Sequence, residues 1–132
     1  MMEDIKPREV AWRFDGRDWV LRCNNNVLAE AQIVNGGDFG PVLSRKRTLK
    51  SVLQLLAAML NDYADEQKWV DEKGFAITYT EKQLGRRLTY DTVDRLAPDI
   101  MRMTILAVNE TDDEKNAETR QEEAAVSTSP GI

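Results

Sequence analysis

An Asp-Gly pair near the start of the chain, in AWRFDGRDWVLRC, leaves residues 11–23 few ways to fold. A two-residue Asp-Gly loop favours a type I′ turn, because both central positions of that turn need a positive φ. With this loop, Arg13 lies across from Asp18 on one face of a hairpin, and the apolar side chains share the other face. These are Val10, Trp12, Phe14, Trp19 and Leu21. The sequence therefore predicts an N-terminal β-hairpin whose aromatic face another element must cover.

Apolar periodicity predicts helices after the hairpin. NNNVLAEAQIV begins with asparagines that can cap a helix, and TLKSVLQLLAAMLNDY carries leucines at helical spacing behind Thr48. Before TEKQLGRRL, either Thr78 or Thr80 has its capping-box partner three residues later. In the last apolar segment, Pro98 predicts a kink or a fresh helix. We expect the helix that follows Thr48 to cover the hairpin.

The composition of the chain changes at residue 109. From there to residue 132 seven acidic residues face two basic ones, so this segment carries a net charge of −5, equal to that of the whole chain. Few apolar residues remain to offset an ordering cost of about 1–2 kcal/mol per residue. We predict a flexible lead-in over 1–8, one folded domain over 9–108 and a disordered acidic tail over 109–132. The predicted fold is α+β and mainly α: the hairpin packs on about four helices.

The residue types restrict the possible chemistry. The chain has no histidine and one cysteine, Cys23, so zinc sites of Cys and His, Ser-His-Asp triads and Cys-His pairs are excluded. We expect no enzymatic activity, no cofactor and no metal. No apolar run approaches the ~20 residues that span a bilayer, and MMEDIKPREV lacks the apolar core of a signal peptide. We therefore expect a cytoplasmic protein without a membrane partner.

Two basic clusters are candidate partner-binding sites. The first precedes and enters the long helix, where positive charge opposes the helix dipole at a cost of a few tenths of a kcal/mol. This arrangement predicts an acidic partner, which is another protein, a nucleic acid or the acidic tail; the alternative is a solvated loop. The second cluster lies in TEKQLGRRL. The candidate residues are Arg45, Lys46, Arg47, Lys50, Arg86 and Arg87.

Two motifs follow one another along residues 10–108. The first, FDGRDWVL, contributes Phe14, Asp15, Gly16, Trp19 and Leu21. The second, TEKQLGRRL, contributes Thr80, Leu84, Gly85 and Leu88. Together with the leucine-rich LLAAML between them, they resemble the tail assembly chaperones of long-tailed bacteriophages. The resemblance implies a non-enzymatic protein of the host cytoplasm that is absent from the finished virion. It also implies two partners, the tape measure protein and the tail tube protein. Separately, we do not expect nucleic acid as a partner.

Two alternatives stay open. TEKQLGRRLTYDTVDRL is faintly similar to a helix-turn-helix, in which Gly85 would lie where two helices cross. The short turn after Leu88 and the acidic Asp94 and Asp99 speak against DNA binding, because phosphate contacts require positive charge. The arginines that favour it are Arg86, Arg87, Arg95 and Arg102. The second alternative is a small phage protein that inhibits a host protein.

Overall fold

The computed structural model describes the backbone of residues 8–34 and 48–126, and the side chains of residues 8–32 and 48–109. Two strands and four helices make up this part of the chain, which confirms the predicted hairpin and helical bundle. The strands are β1 (Glu9–Phe14) and β2 (Arg17–Arg22). The helices are α1 (Asn25–Val34), α2 (Leu49–Gln67), α3 (Glu81–Arg87) and α4 (Tyr90–Val126).

The hairpin has the register that its sequence predicts. Asp15 and Gly16 form the turn with φ of 55° and 76°, so both central positions are left-handed, as a type I′ turn requires. The strands pair Phe14 with Arg17, Trp12 with Trp19 and Val10 with Leu21. On the opposite face, Arg13 Nη1 lies 2.8 Å from Asp18 Oδ1. The apolar face is therefore turned toward the helices.

Helix α2 is the centre of the core. Its N-terminus is the predicted one, because Thr48 forms a capping box with Ser51. Side chains around nearly its whole circumference are buried, as in a helix enclosed by other elements. The least exposed of them are Leu55, Leu56, Ala58 and Leu60. Trp19 of the hairpin is 1% exposed and packs against Tyr63, with ring centroids 6.2 Å apart, so α2 covers the hairpin as expected.

Helix α4 contradicts one of the two alternatives predicted for Pro98, and the other, a kink, stays a prediction. It runs from Tyr90 through Pro98 without a new start, so a fresh helix at this proline is wrong. Proline keeps a helical φ, and its cost is a lost hydrogen bond to the carbonyl of Asp94. That carbonyl lies beside an exposed side chain, where water can bind it, while neighbouring Ala97 and Ile100 hold the opposite face in the core. Packing of the apolar face thus outweighs one missing bond.

Other predictions for the bundle have mixed outcomes. Helix α1 lies where NNNVLAEAQIV predicts it, and Asn24 Oδ1 caps it by accepting from the Val27 amide at 3.1 Å. The lead-in over residues 1–7 lies outside the described residues. Helical backbone continues as far as Val126, and the disorder of residues 109–132 stays a prediction. Within the described ranges, no helix combines the length and apolarity that a membrane crossing needs.

Candidate functional site

The turn of the hairpin is held by α3 and by the residue just before its cap. Arg87, at the end of α3, donates from Nη2 to Asp15 Oδ1 at 2.7 Å and from Nη1 to Asp15 Oδ2 at 3.1 Å. The Tyr79 hydroxyl donates to the same Oδ2 at 2.5 Å. We call Asp15, Tyr79 and Arg87 the turn clamp. It joins the two motifs through Asp15 and Arg87, which lie 72 residues apart in the sequence.

The turn clamp has fixed charges at neutral pH. Hydrogen bonds from Arg87 and Tyr79 lower the pKa of Asp15 from 3.8 to about 2. Burial, together with the Asp15 carboxylate, raises the pKa of Tyr79 to about 12. The same carboxylate raises the pKa of Arg87. None of the three groups is poised to exchange a proton near pH 7, so the arrangement suits a structural clamp better than acid–base chemistry.

Aromatic rings surround the turn clamp. The Arg87 guanidinium lies 5.0 Å from the ring centroid of Phe14, a distance at which a cation is attracted to a ring. Trp19 packs edge-on against Trp69 at 5.0 Å and against Tyr79 at 5.9 Å. Its Nε1 donates to the Phe14 carbonyl at 2.8 Å, which satisfies its one polar atom. The predicted core role of Trp19 is confirmed, while Trp12 is half-buried and stacks on Phe14.

Two sets of hydrogen bonds fix the positions of Tyr79 and α3. Asn61 of α2 binds the Tyr79 backbone in both directions: its Oδ1 accepts from the amide at 2.7 Å, and its Nδ2 donates to the carbonyl at 3.0 Å. The next residue, Thr80, caps α3 by accepting from the Gln83 amide at 3.1 Å, and Gln83 Oε1 accepts from the Thr80 amide. Of the two predicted capping threonines, the helix uses Thr80. The clamp is therefore anchored to the central helix.

An open cleft of about 800 Å³ lies beside the turn clamp. Its walls carry positive, negative and apolar side chains, among them Asp15, Arg17, Val70, Lys73, Ile77 and Arg87. The Arg17 guanidinium lies 4.8 Å from the ring centroid of Trp69, and its Nη1 is buried without a hydrogen-bond partner in the described part of the chain. A cleft of this size lies within the range of ligand pockets in proteins, but its lining is more polar than theirs.

One wall of the cleft is a tight turn that exposes apolar side chains. Val70 and Ala76 form an isolated antiparallel bridge, and Asp71 Oδ1 accepts from the backbone amides of Lys73 and Phe75 at 2.8 and 2.9 Å. The turn keeps Phe75 66% and Val70 49% exposed. GFAIT is strand-like in sequence, and the described strand pairing there is limited to this bridge. An exposed aromatic residue on an ordered turn is a candidate contact for another protein.

The structure separates the six predicted binding residues. Arg45, Lys46 and Arg47 lie outside the described residues. Lys50 Nζ lies 3.0 Å from Glu81 Oε2, so this lysine joins the start of α2 to the start of α3. Arg86 is exposed and has no ion pair with a described residue. The sixth, Arg87, belongs to the turn clamp. Among the three of these six residues that are described, Arg86 is the one without an ion pair to a described carboxylate.

The arginines of the DNA-binding alternative are mostly paired. Three of the four contact carboxylates of this chain at 3.0 Å or less, which lowers the positive charge available to phosphates. The pairs are Arg87–Asp15, Arg95–Asp91 and Arg102–Asp99. A Cβ added at Gly85 would meet Leu53 Cδ1 at 3.7 Å, an ordinary contact, so no close helix crossing requires glycine there. These contacts make DNA binding the weaker alternative.

Sequence reasoning missed Tyr79, Trp69 and Arg17 as parts of this site. Asp15 was predicted only as a turn residue. The sequence does contain one signal for the pairing of Asp15. The hairpin turn itself requires no cation beside the Asp15 carboxylate, and the second motif offers two adjacent arginines that could pair with it. The pairing of Tyr79 with this carboxylate had no such signal.

The side chains of the described residues include no group of three or more that could hold a metal ion. Cys23 is half-buried after β2, and burial raises the pKa of its thiol to about 11. No protein-family model, curated protein or solved structure matches this chain. The contacts described above and the two motifs are therefore the features that bear on function.

Proposed function

We propose that this chain is a non-enzymatic tail assembly chaperone of a long-tailed bacteriophage. In this role it binds the tape measure protein in the host cytoplasm and helps to bring tail tube subunits to it. The chain then stays out of the finished virion. The proposal takes its identity from the two motifs that resemble this family, and its binding surface from the cleft beside the turn clamp.

The observation that carries the proposal is the meeting of the two motifs in one packed unit. Asp15 of the first motif is bound by Arg87, which lies inside the second, and Trp19 of the first packs against Tyr79 just before the second. Arg87 and Tyr79 are not themselves among the positions that carry the resemblance, so the support comes from the packing of the two segments against each other. The turn clamp gives these segments a common structural purpose.

The surface next to the turn clamp has the features of a protein-binding site. Phe75 and Val70 are exposed apolar anchors on an ordered turn, and Arg17 and Lys73 supply charge at the edge of the cleft. Interfaces of this kind combine aromatic anchors with arginine and a polar rim. The tape measure protein is our proposed occupant, because a long helical protein offers repeated apolar side chains to such anchors.

Co-expression tests the proposal. The tagged chain is produced together with the tape measure protein encoded in the same phage genome, and the soluble complex is recovered by affinity purification and sized by light scattering. We expect a complex that survives nuclease treatment. Tape measure protein that stays insoluble, or a complex that nuclease dissolves, would contradict the proposal, and the second result would favour the DNA-binding alternative.

Two exposed aromatic residues provide a matched pair of variants. Phe75→Ser removes an exposed apolar side chain from the turn whose residues Val70 and Lys73 line the cleft, whereas Tyr90→Ser alters a residue that is 68% exposed at the start of α4, outside that turn. We expect Phe75→Ser to weaken the complex about tenfold or more, as loss of an anchor does, and Tyr90→Ser to leave it unchanged. Equal effects would place the binding surface elsewhere.

A further inference from the structure

Strand β1 has an outer edge that no described residue covers. Residues that flank a two-residue turn exchange hydrogen bonds, and such pairs alternate along a hairpin with pairs that do not. Phe14, Trp12 and Val10 therefore direct their backbone groups toward β2. The backbone groups of Glu9, Ala11 and Arg13 point away from it, and none of them bonds to another described residue.

We propose that this edge pairs with the same edge of a second copy of the chain, in a two-fold symmetric, antiparallel arrangement centred on Ala11. Glu9 then lies opposite Arg13 of the second copy, and Arg13 opposite its Glu9. Each of these three pairs joins residues whose backbone groups point outward, so each can exchange two hydrogen bonds. The two hairpins become one four-stranded sheet, and the pairing covers the β1 edge of each copy.

Charge on the exposed face selects this register. Within one copy, Arg13 already pairs with Asp18 at 2.8 Å, and Arg22 lies 3.7 Å from Glu9. Across the dimer the charges then alternate along one row of the four-stranded sheet. The row is Asp18, Arg13, Glu9 of the second copy and Arg22 of the second copy. The two-fold axis repeats this row on the other side of the central pair of alanines. In both rows, side chains that are neighbours on adjacent strands carry opposite charges.

The other face of the sheet gains apolar contact. Val10 and Trp12 are only half-buried, although they belong to the face that packs on the core. In the proposed register Val10 lies opposite Trp12 of the second copy, which covers part of the surface that a two-stranded ribbon leaves open. Ala11 is exposed and small, so the two central residues can approach without a clash. A second copy therefore fits both faces of the edge.

Sedimentation equilibrium of the full chain is the first test. We expect the mass to rise with concentration from 15.0 kDa toward twice that value. A chain that stays monomeric into the millimolar range would overturn the proposal. Ala11→Pro removes the central outward N–H, and proline is tolerated at such an edge position. We expect it to raise the dimer dissociation constant about tenfold or more, whereas Ala11→Ser, which keeps the N–H, leaves it unchanged.

A mixing experiment separates this register from any other association. Glu9→Arg puts two cations on the edge, and Arg13→Glu puts two anions there, so each variant alone repels its own copy. Mixed in equal amounts, they place Arg opposite Glu at both outer pairs. We expect neither variant to dimerise alone and the mixture to dimerise, with far-UV circular dichroism confirming that both are folded. A mixture that stays monomeric, or either variant dimerising alone, would overturn the register.

Discussion

Asp15 serves the fold in two ways at once. Its backbone takes the left-handed conformation that the hairpin turn needs, and its side chain accepts three hydrogen bonds from Arg87 and Tyr79. Asparagine adopts the same turn conformation as readily, because its side chain also supports a positive φ. The charge of Asp15 can therefore be removed without disturbing the turn, which makes the contribution of the turn clamp measurable.

We expect Asp15→Asn to lower the free energy of unfolding by about 1 kcal/mol at pH 7, measured by urea denaturation. The value is modest because both partners of the Asp15–Arg87 pair remain some 40% exposed, and solvent weakens such pairs. Asp18→Asn is the control, since Asp18 faces Arg13 in a pair that is 83% and 66% exposed. Its expected effect is within about 0.5 kcal/mol of zero. Equal losses for both variants would argue against a special role for the turn clamp.

The pH dependence of this effect follows from the lowered pKa of Asp15. A carboxyl group whose pKa is lower in the folded state stabilises the fold at pH values above its unfolded pKa of 3.8. That contribution falls as the pH drops toward the folded pKa of about 2 and is absent below it. The stability difference between the native chain and Asp15→Asn should therefore be constant above about pH 5, shrink as the pH falls, and disappear only below about pH 2. Chemical denaturation across this range measures it.

Helix α3 is seven residues long, too short to be stable by propagation alone. It depends on its ends: the capping box of Thr80 and Gln83 at one end, and the contact of Arg87 with the hairpin at the other. Leu84, with no exposed surface, fixes its middle in the core. An element of this kind is more sensitive to the loss of a cap than a long helix.

Thr80→Ala should lower the free energy of unfolding by about 1 kcal/mol, because the Gln83 amide loses its acceptor. Thr78→Ala is the matched control. Thr78 has the same capping-box spacing to an acidic residue, but it is exposed and the helix begins beyond it. Thermal denaturation should show a clear drop for the first variant and almost none for the second. A larger loss from Thr78→Ala would mean that the cap has been assigned to the wrong threonine.

Pro98 offers a test on α4. Because this proline is exposed and lies inside a continuous helix, Pro98→Ala restores a backbone hydrogen bond and removes a clash, and only the gain in unfolded-state entropy opposes it. We expect stabilisation by about 1–2 kcal/mol, measured by urea denaturation. Asp94→Ala replaces another exposed residue of α4 and should change the free energy of unfolding by only a few tenths of a kcal/mol. A destabilised Pro98→Ala variant would show that the proline supports a bend that the core requires.

Features that depend on residues close together in the sequence could be predicted, and features that depend on distant residues could not. The hairpin register, the caps of α2 and α3, and the covering of Trp19 were predictable, because turn chemistry, capping and periodicity act over a few residues. The turn clamp was not, since Asp15 and Arg87 are 72 residues apart and no local pattern joins them. Lys50 and Arg87 were predicted to bind a partner. The fold brings Glu81 and Asp15 to them, so both pair within the chain, and their binding to a partner stays a prediction.

At the scale of the whole molecule, α2 is the element on which the others pack. Strand β2 and the helices α1, α3 and α4 all contact it. The most C-terminal buried side chains of α4 are those of Met103 and Thr104. The residues that hold the described core therefore precede the acidic segment, which predicts how the chain responds to truncation.

Deleting residues 109–132 should change the melting temperature by no more than about 2 °C, since 1 kcal/mol corresponds to about 4–8 °C in a domain of this size. Differential scanning calorimetry of the truncated and full chains measures the change. Truncation after Asp99 is the positive control, because it removes Ile100, Met101 and Met103 and should abolish the cooperative transition. A fall of many degrees for the shorter deletion would show that the acidic segment packs against the body.

The ion pair between Asp15 and Arg87 can form only late in the synthesis of the chain. A ribosome must add 72 residues after Asp15 before its counter-ion exists, which takes roughly 4 to 14 s at about 5–20 residues per second. Until then the tryptophan-bearing ribbon emerges without α3 to close it. The nascent chain, rather than the finished protein, is thus the form that most needs protection from aggregation.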